Sequence, residues 1–284
     1  MTATRVVSYS ELDAIRQCGL KAYLAYGERW KPPTTGPALA RGSLFHKVME
    51  AHYTSGWTAR SKNVDAVLGT AELSDEEIAL VRWVYEGYVE CYGMDKDWEV
   101  LEVEHKVEDW LPMPSGKRST FRLKGTIDLL VRDHSAGDGL WIVDHKTCKN
   151  LPKGKEIDFD DQMGLYVYLL RHKGIDVRGI IYNACRTDKL KREMTMDERF
   201  DRILTVRTDR ELEIIAAEAL TTFRDYYTGL QRGSREGVMP PRSPNADTCR
   251  WRCSYTEACL SSRKGIDLRG LLEDMDYHKD PTRH

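Results

Sequence analysis

The chain has 284 residues, 41% of them hydrophobic, enough for one large domain with its own core. Its 43 basic and 45 acidic side chains leave a formal net charge of -2, which excludes a globally polycationic nucleic-acid binder and leaves room only for a local basic surface. No apolar run approaches the roughly 20 residues of a membrane span, and the start MTATRVVSYS lacks the apolar stretch of a secretory signal, so the expectation is a cytoplasmic protein with no membrane partner.

Ser8 and Glu11 have the spacing of a capping box, and Leu12, Ile15 and Leu20 follow at near-helical intervals, which predicts a short first helix carrying Cys18. Leu44, Phe45, Val48 and Met49 recur at one-turn intervals and predict a second helix over 42–52, with His46 and Glu50 one turn apart. Ser74 and Glu77 cap a third, with Ile78, Val81, Val84, Tyr85 and Tyr88 on one side. From Trp98 the period drops to two over 100–107, 121–131 and 140–147, with turn residues at Pro114-Ser115-Gly116 and Asp138-Gly139, the pattern of an antiparallel meander. A helix over 158–172, a strand at Gly179-Ile180-Ile181-Tyr182, and a long helix opened by Thr208 and Glu211 with Leu212, Ile215, Leu220 and Phe223 follow. Residues 233–247 read as a loop.

The second strand carries Gly125-Thr126-Ile127-Asp128 and the third Asp144-His145-Lys146-Thr147. Side chains two apart on a strand share a face, so Asp144 and Lys146 point together, and Asp128 joins them if the strands pair. Close carboxylates repel unless a cation lies between them, and Mg²⁺ or Mn²⁺ takes such oxygen ligands. Alone, an Asp-x-Lys pair is more often a surface ion pair, a lone His on a helix more often structural, and Tyr166 as readily a core residue. Glu102 and Glu104, spaced to share a face of the first strand, are either further acidic groups near the metal or simply exposed.

Gly42-Ser43-Leu44-Phe45-His46, Gly125-Thr126-Ile127-Asp128, Asp144-His145-Lys146-Thr147 and Gln162-Met163-Gly164-Leu165-Tyr166, in that order, resemble the RecB-type signature of PD-(D/E)XK nucleases. The resemblance runs from Ser8 to Cys259 and implies an α/β, restriction-endonuclease-like core, a central mixed sheet flanked by helices. It implies catalytic Asp128, Asp144 and Lys146, metal ligands His46, Asp128, Asp144 and the main-chain carbonyl of His145, Mg²⁺ or Mn²⁺ as cofactor, and Gln162 and Tyr166 as strand-positioning residues.

Seven cysteines are an odd number for a disulfide framework, and Cys249-x3-Cys253-x5-Cys259 with distant Cys18 makes a set of four. Four thiolates suit Zn²⁺ or a [4Fe–4S] cluster. One cysteine before the nuclease motifs and three after them resemble the iron–sulfur nucleases of the AddB and CRISPR-associated RecB type, which implies the cluster. Those relatives have two residues between the first downstream pair where this chain has three, which keeps zinc open. Cys91, Cys148 and Cys185 read as ordinary core thiols.

Arg186, Lys189, Lys191 and Arg192, and separately Arg232, Arg235, Arg242, Arg250 and Arg252, could meet phosphates, with Trp251 or Tyr255 stacking on a base. The expectation is a single nuclease domain over 1–284: an N-terminal segment 1–30 with the first cluster cysteine, a core at 40–232, and a cluster segment at 245–262. Its expected function is a metal-dependent exonuclease on DNA ends, preferring single strands, in recombination, repair or phage DNA processing. The chain lacks a Gly-x4-Gly-Lys-Ser/Thr motif, so unwinding would need a helicase or recombination partner. A non-catalytic DNA-binding subunit is the alternative, and an oligomer is open.

Overall fold

A computed structural model describes residues 4–56, 59–113, 115, 117–135, 137–153 and 156–281, the Arg252 side chain apart; Pro114 and Gly116 of the predicted turn lie outside the described residues. The elements begin with β1 (Arg5–Ser8), α1 (Tyr9–Gln17), α2 (Gly19–Ala22), a π turn (Tyr23–Gly27), β2 (Trp30–Lys31), α3 (Pro37–Thr54), α4 (Arg60–Gly69) and α5 (Asp75–Tyr92). They continue with β3 (Trp98–Pro112), β4 (Arg118–Asp133), β5 (Gly139–Cys148), a 3₁₀ turn (Glu156–Phe159), α6 (Asp161–His172), β6 (Val177–Arg186), α7 (Met196–Arg199) and β7 (Phe200–Thr205). The last are α8 (Asp209–Glu236), α9 (Ala246–Arg252), α10 (Thr256–Ser262), α11 (Leu268–Asp274) and β8 (His278–Lys279). No described helix is long and apolar enough to cross a membrane.

The chain packs as two compact units, one of Gly36–Val107 with Gly125–Ile215, the other of Met1–Thr35, Glu108–Lys124 and Ala216–His284. In the first, β4, β5, β6 and β7 are neighbours in that order, and β3 also pairs with β4. Leu129–Asp133 of β4 run antiparallel to β5, β5 runs parallel to β6, and β6 antiparallel to β7, a mixed sheet. Parallel neighbours are covered on both faces, which is why Trp141, Ile142 and Val143 of β5 and Ile180, Ile181 and Tyr182 of β6 are all buried without alternation. Leu44, Phe45, Val48 and Met49 of α3 pack with Val64 and Leu68 of α4 and Val81, Val84 and Tyr88 of α5 in one core. At α6, a Cβ added to Gly164 would lie 3.1 Å from Ile215, so this glycine lets the start of α8 sit close.

In the second unit β1 lies parallel to Phe121–Lys124 of β4, and β2 pairs antiparallel with β8. Leu20, Leu24 and Trp30 pack with Tyr255, Ala258, Leu268, Leu272 and Tyr277, joining the first elements of the chain to the last.

Ser74 accepts from the Glu77 N–H, and Thr208 and Glu211 cap each other reciprocally, as predicted. The Ser8 box is one-sided. Ser8 accepts from the Glu11 N–H at 3.2 Å, but the buried Glu11 carboxylate turns away to accept from Tyr227 Oη. The second helix is longer than its apolar pattern, because Pro37 starts it where a missing N–H costs nothing. The predicted loop over 233–247 shrinks, since α8 runs to Glu236 and Asn245 caps α9 through the Asp247 and Thr248 N–H groups. The short strands β1 and β7 and the helix α4 were beyond the reach of periodicity; β7 has charged Asp201 and Arg202 in its middle.

Candidate active site and four-thiol cavity

Three elements of the sheet-bearing unit bring the predicted carboxylates and lysine together. On α3, a Cβ added to Gly42 would lie 3.5 Å from Thr147 Oγ1, so the helix passes close over the end of β5. One turn further on, His46 Nδ1 lies 3.0 Å from Asp128 Oδ1 on β4. The other Asp128 oxygen accepts from the His145 main-chain N–H at 2.7 Å, which ties β4 to β5 at the site. Alternation on β5 turns Asp144 and Lys146 to one face, where Lys146 Nζ lies 2.9 Å from Asp144 Oδ2 and 3.9 Å from Asp160 Oδ2. The His145 ring points the other way, into contact with Phe45, Tyr53 and Tyr88. Only its main chain is therefore available to the site.

The two carboxylates differ electrostatically. Burial pushes Asp144 up to about 6, and the Asp128 charge adds to this while Lys146 opposes it. Burial also raises Asp128, but the His46 and His145 groups bonded to it win and hold it below the usual carboxylate value. His46 is lowered by burial and raised more by Asp128 and Asp144; Lys146 is lowered by burial and raised more by Asp144 and Asp160. Burial pushes the His145 ring down to about 4, so it is neutral at pH 7.

Glu104 has φ 51°, which breaks the alternation of β3 and separates it from Glu102. Glu102 is exposed and pairs with His105, whereas half-buried Glu104 is raised by burial and by the charges of Asp128 and Glu50. Gln162 and Tyr166 lie one turn apart on α6, with Gln162 Nε2 donating to Tyr166 Oη at 3.4 Å. Tyr166 is only 3% exposed and lies over Gly125, where an added Cβ would come within 2.2 Å of its ring. Asp160, whose side chain caps α6 through the Gln162 N–H, is a site neighbour that sequence reasoning missed; its N-cap position was the available signal.

The donor set of two acidic oxygens, an imidazole and a main-chain carbonyl is one that a divalent cation accepts, and burial, which raises Asp144, gives its charge a cost that a bound cation would offset. In this arrangement His46 and Lys146 face the carboxylates, and among the described residues no group of three or more His, Cys, Asp or Glu side chains is set to hold a metal ion.

A family model for the PD-(D/E)XK nuclease superfamily matches residues 6–260. The chain belongs to this superfamily, and it is a nuclease. No curated protein matches it. A solved candidate exonuclease from Eubacterium rectale is similar at 15% identity with a TM-score of 0.54, over 86% of this chain and 87% of that one. An alkaline exonuclease from Laribacter hongkongensis, also 15% identical, aligns over 68% of this chain and 91% of its own with a TM-score of 0.36.

In the other unit of this nuclease, Cys18, Cys249, Cys253 and Cys259 all line one cavity of about 100 Å³. Cys18 sits between α1 and α2, Cys249 on α9, Cys253 at the end of α9 and Cys259 on α10. Arg242 Nε donates to Cys259 Sγ at 3.4 Å, and Thr256 Oγ1 donates to the carbonyls of Cys249 and Cys253. Cys91, Cys148 and Cys185 are elsewhere; burial pushes the Cys148 thiol up to about 11, and it donates to the Cys185 carbonyl.

The predicted base-stacking pair divides. Trp251 is 72% exposed with Arg250 beside its ring, but Tyr255 is 4% exposed, donates its hydroxyl to the Trp30 carbonyl and is unavailable to a base. Of the predicted phosphate-contacting residues, Arg192 is paired with Glu198, and Lys189 lies over the Trp83 ring.

Proposed function

We propose that this nuclease is a RecB-like, Mg²⁺- or Mn²⁺-dependent exonuclease that acts on DNA ends and prefers single strands. The observation that carries this is Asp144 and Lys146 on one face of β5, with Asp128 bonded to the amide between them. Asp128 and Asp144 would hold the cation, with His46 and the His145 carbonyl completing its ligands. When bound, the cation polarises the scissile phosphodiester and acidifies a water. Lys146, its proton held by Asp144 and Asp160, orients that water and balances charge developing on the phosphate. Gln162, steadied by the Tyr166 hydroxyl, positions the strand entering the site.

The four thiols line one cavity, and the RecB-type resemblance supports a [4Fe–4S] cluster as their guest. Zinc remains the second reading because of the three-residue Cys249–Cys253 interval. Iron, labile sulfide and zinc measured on anaerobically purified protein separate the two. The role in recombination, repair or phage DNA processing, with a helicase partner, follows from the RecB resemblance.

The test is digestion of end-labelled single- and double-stranded DNA with Mg²⁺ or Mn²⁺, wild type against Lys146→Ala. The expected result is metal-dependent release of labelled nucleotides that falls on the order of 10²–10³-fold in a folded variant. Binding without cutting by the metal-loaded wild type would leave the non-catalytic DNA-binding subunit as the reading.

A further inference from the structure

The residue between Asp144 and Lys146 is held from behind by a row of side chains that crosses three strands. His145 of β5 is registered opposite Asn183 of β6, and Asn183 opposite Arg202 of β7. Their side chains touch in that order on the sheet face away from Asp144 and Lys146. Arg202 Nε donates to Asn183 Oδ1 at 2.8 Å, and Asn183 Nδ2 lies 3.2 Å from His145 Nδ1.

The chemistry of the row leaves one arrangement of its protons. Arginine has no acceptor, so the amide oxygen of Asn183 must face Arg202 and its NH₂ must face His145. His145 Nδ1 then accepts, and the ring proton sits on Nε2. The same NH₂ donates to Tyr88 Oη at 2.8 Å, which also accepts from Arg202 Nη2 at 2.7 Å. With both lone pairs used, Tyr88 gives its proton to Tyr53 Oη at 2.6 Å, and Tyr53 gives its own to Asp95 Oδ2 at 2.6 Å. Asp95 Oδ1 closes the circuit on Arg202 Nη1 at 2.5 Å. Arg202 is also flanked by the Tyr92 and Trp98 rings at 3.7 and 4.2 Å.

A largely buried circuit of this kind, closed through Arg202, Asn183, Tyr88, Tyr53 and Asp95 with His145 attached through Nδ1 and its Nε2 unpartnered among the described residues, is stiff, and apolar side chains would fill the same space without the cost of desolvating a charge pair. Its end point is what distinguishes it. His145 is the one residue whose N–H holds Asp128 while its neighbours on either side are Asp144 and Lys146. We propose that Asn183 and Arg202 are positioning residues, locking His145 in the Nε2–H form so that the 144–146 main chain keeps its place when a divalent cation binds. This rests on the nuclease reading above.

The experiment uses the full chain and measures Mn²⁺ binding by electron paramagnetic resonance, together with ¹⁵N ring shifts of His145 identified by their loss in His145→Gln. The wild type is expected to show the Nε2–H tautomer. Folded Asn183→Leu is expected to raise the Mn²⁺ dissociation constant about tenfold, the lower end of the usual loss on removing an outer-sphere support, and activity should recover substantially at saturating Mn²⁺. Arg202→Lys, which keeps a charge for Asp95 but has no Nε–H for Asn183, is expected to do the same and carries the test if Asn183→Leu does not fold. An Nδ1–H tautomer in the wild type, or unchanged Mn²⁺ affinity in the folded variant, overturns the ladder alone. A wild type that binds no Mn²⁺ and cuts no DNA overturns the nuclease reading instead.

Discussion

Gly125→Ala adds one methyl at the point where β4 passes under Tyr166. The new Cβ would lie 2.2 Å from the Tyr166 Cζ and Oη and 2.3 Å from Cε1, against about 3.5 Å for an ordinary contact, so the ring or the strand must move by roughly 1.3 Å. Tyr166 is only 3% exposed and has little room to yield. Overpacking of this kind costs about 1–3 kcal/mol, which for a chain of this size lowers the melting temperature by several degrees. The hydroxyl also leaves Gln162, and Asp128 lies three residues along the same strand, so a shift approaching 1 Å would lower kcat by about 10²-fold. Urea unfolding of Gly125→Ala, Tyr166→Ala and the double variant measures the contact directly. Once the ring is gone its clash with the methyl is gone, so the double variant should be about 1–3 kcal/mol more stable than the sum of the singles predicts, an estimate taken from the same overpacking range. Additivity within about 0.5 kcal/mol would refute the close approach.

Burial raises Glu28, but hydrogen bonds from Arg269, Trp30 and Tyr23 outweigh it and hold its carboxyl down at about 2. A depressed folded pKa means stability that is full above about 4.5 and lost as pH falls toward 2; with Arg269 exposed, about 1–2 kcal/mol is expected from a shift that would give roughly 3 unscreened. Glu28→Gln should lower the unfolding free energy by about 1–2 kcal/mol at pH 7 and flatten its fall between about pH 4.5 and 2. Cys259→Ser should abolish iron and sulfide binding and speed amide exchange across α2, α9 and α10 while α6 stays protected; unchanged exchange would show that the cavity guest has no structural role. Trp251→Ala should weaken binding of a single-stranded oligonucleotide by about 1–3 kcal/mol, whereas Tyr255→Phe should leave it alone and lower the melting temperature instead, because its hydroxyl serves the Trp30 carbonyl.

The parts of the fold legible in the sequence were those written as period and cap. The apolar stripe of α3, the capping pairs at Ser74 and Thr208, and the two-residue spacing of Asp144 and Lys146 depend only on near neighbours, and each recurs in the structure. What was hidden depends on register between distant strands. Asn183 and Arg202 look like ordinary polar residues until β6 and β7 align them with His145. Glu104 misled because one residue of positive φ cancels the alternation on which the pairing with Glu102 was based. Tyr255 looked available for stacking because an aromatic beside arginines reads the same whether its face is open or its hydroxyl is tied to a carbonyl more than two hundred residues away.

The four-thiol cavity also sets an order of events during synthesis. His46, Asp128, Asp144 and Lys146 all leave the ribosome while Cys249, Cys253 and Cys259 have yet to be made, so the sheet-bearing unit has its whole proposed catalytic set before the cavity has more than one wall. Translation can therefore deliver a chain with the proposed cutting groups but without three of the four cavity thiols. Cys18, between α1 and α2, is made more than two hundred residues before its three cavity neighbours, so its thiol is without them through most of translation.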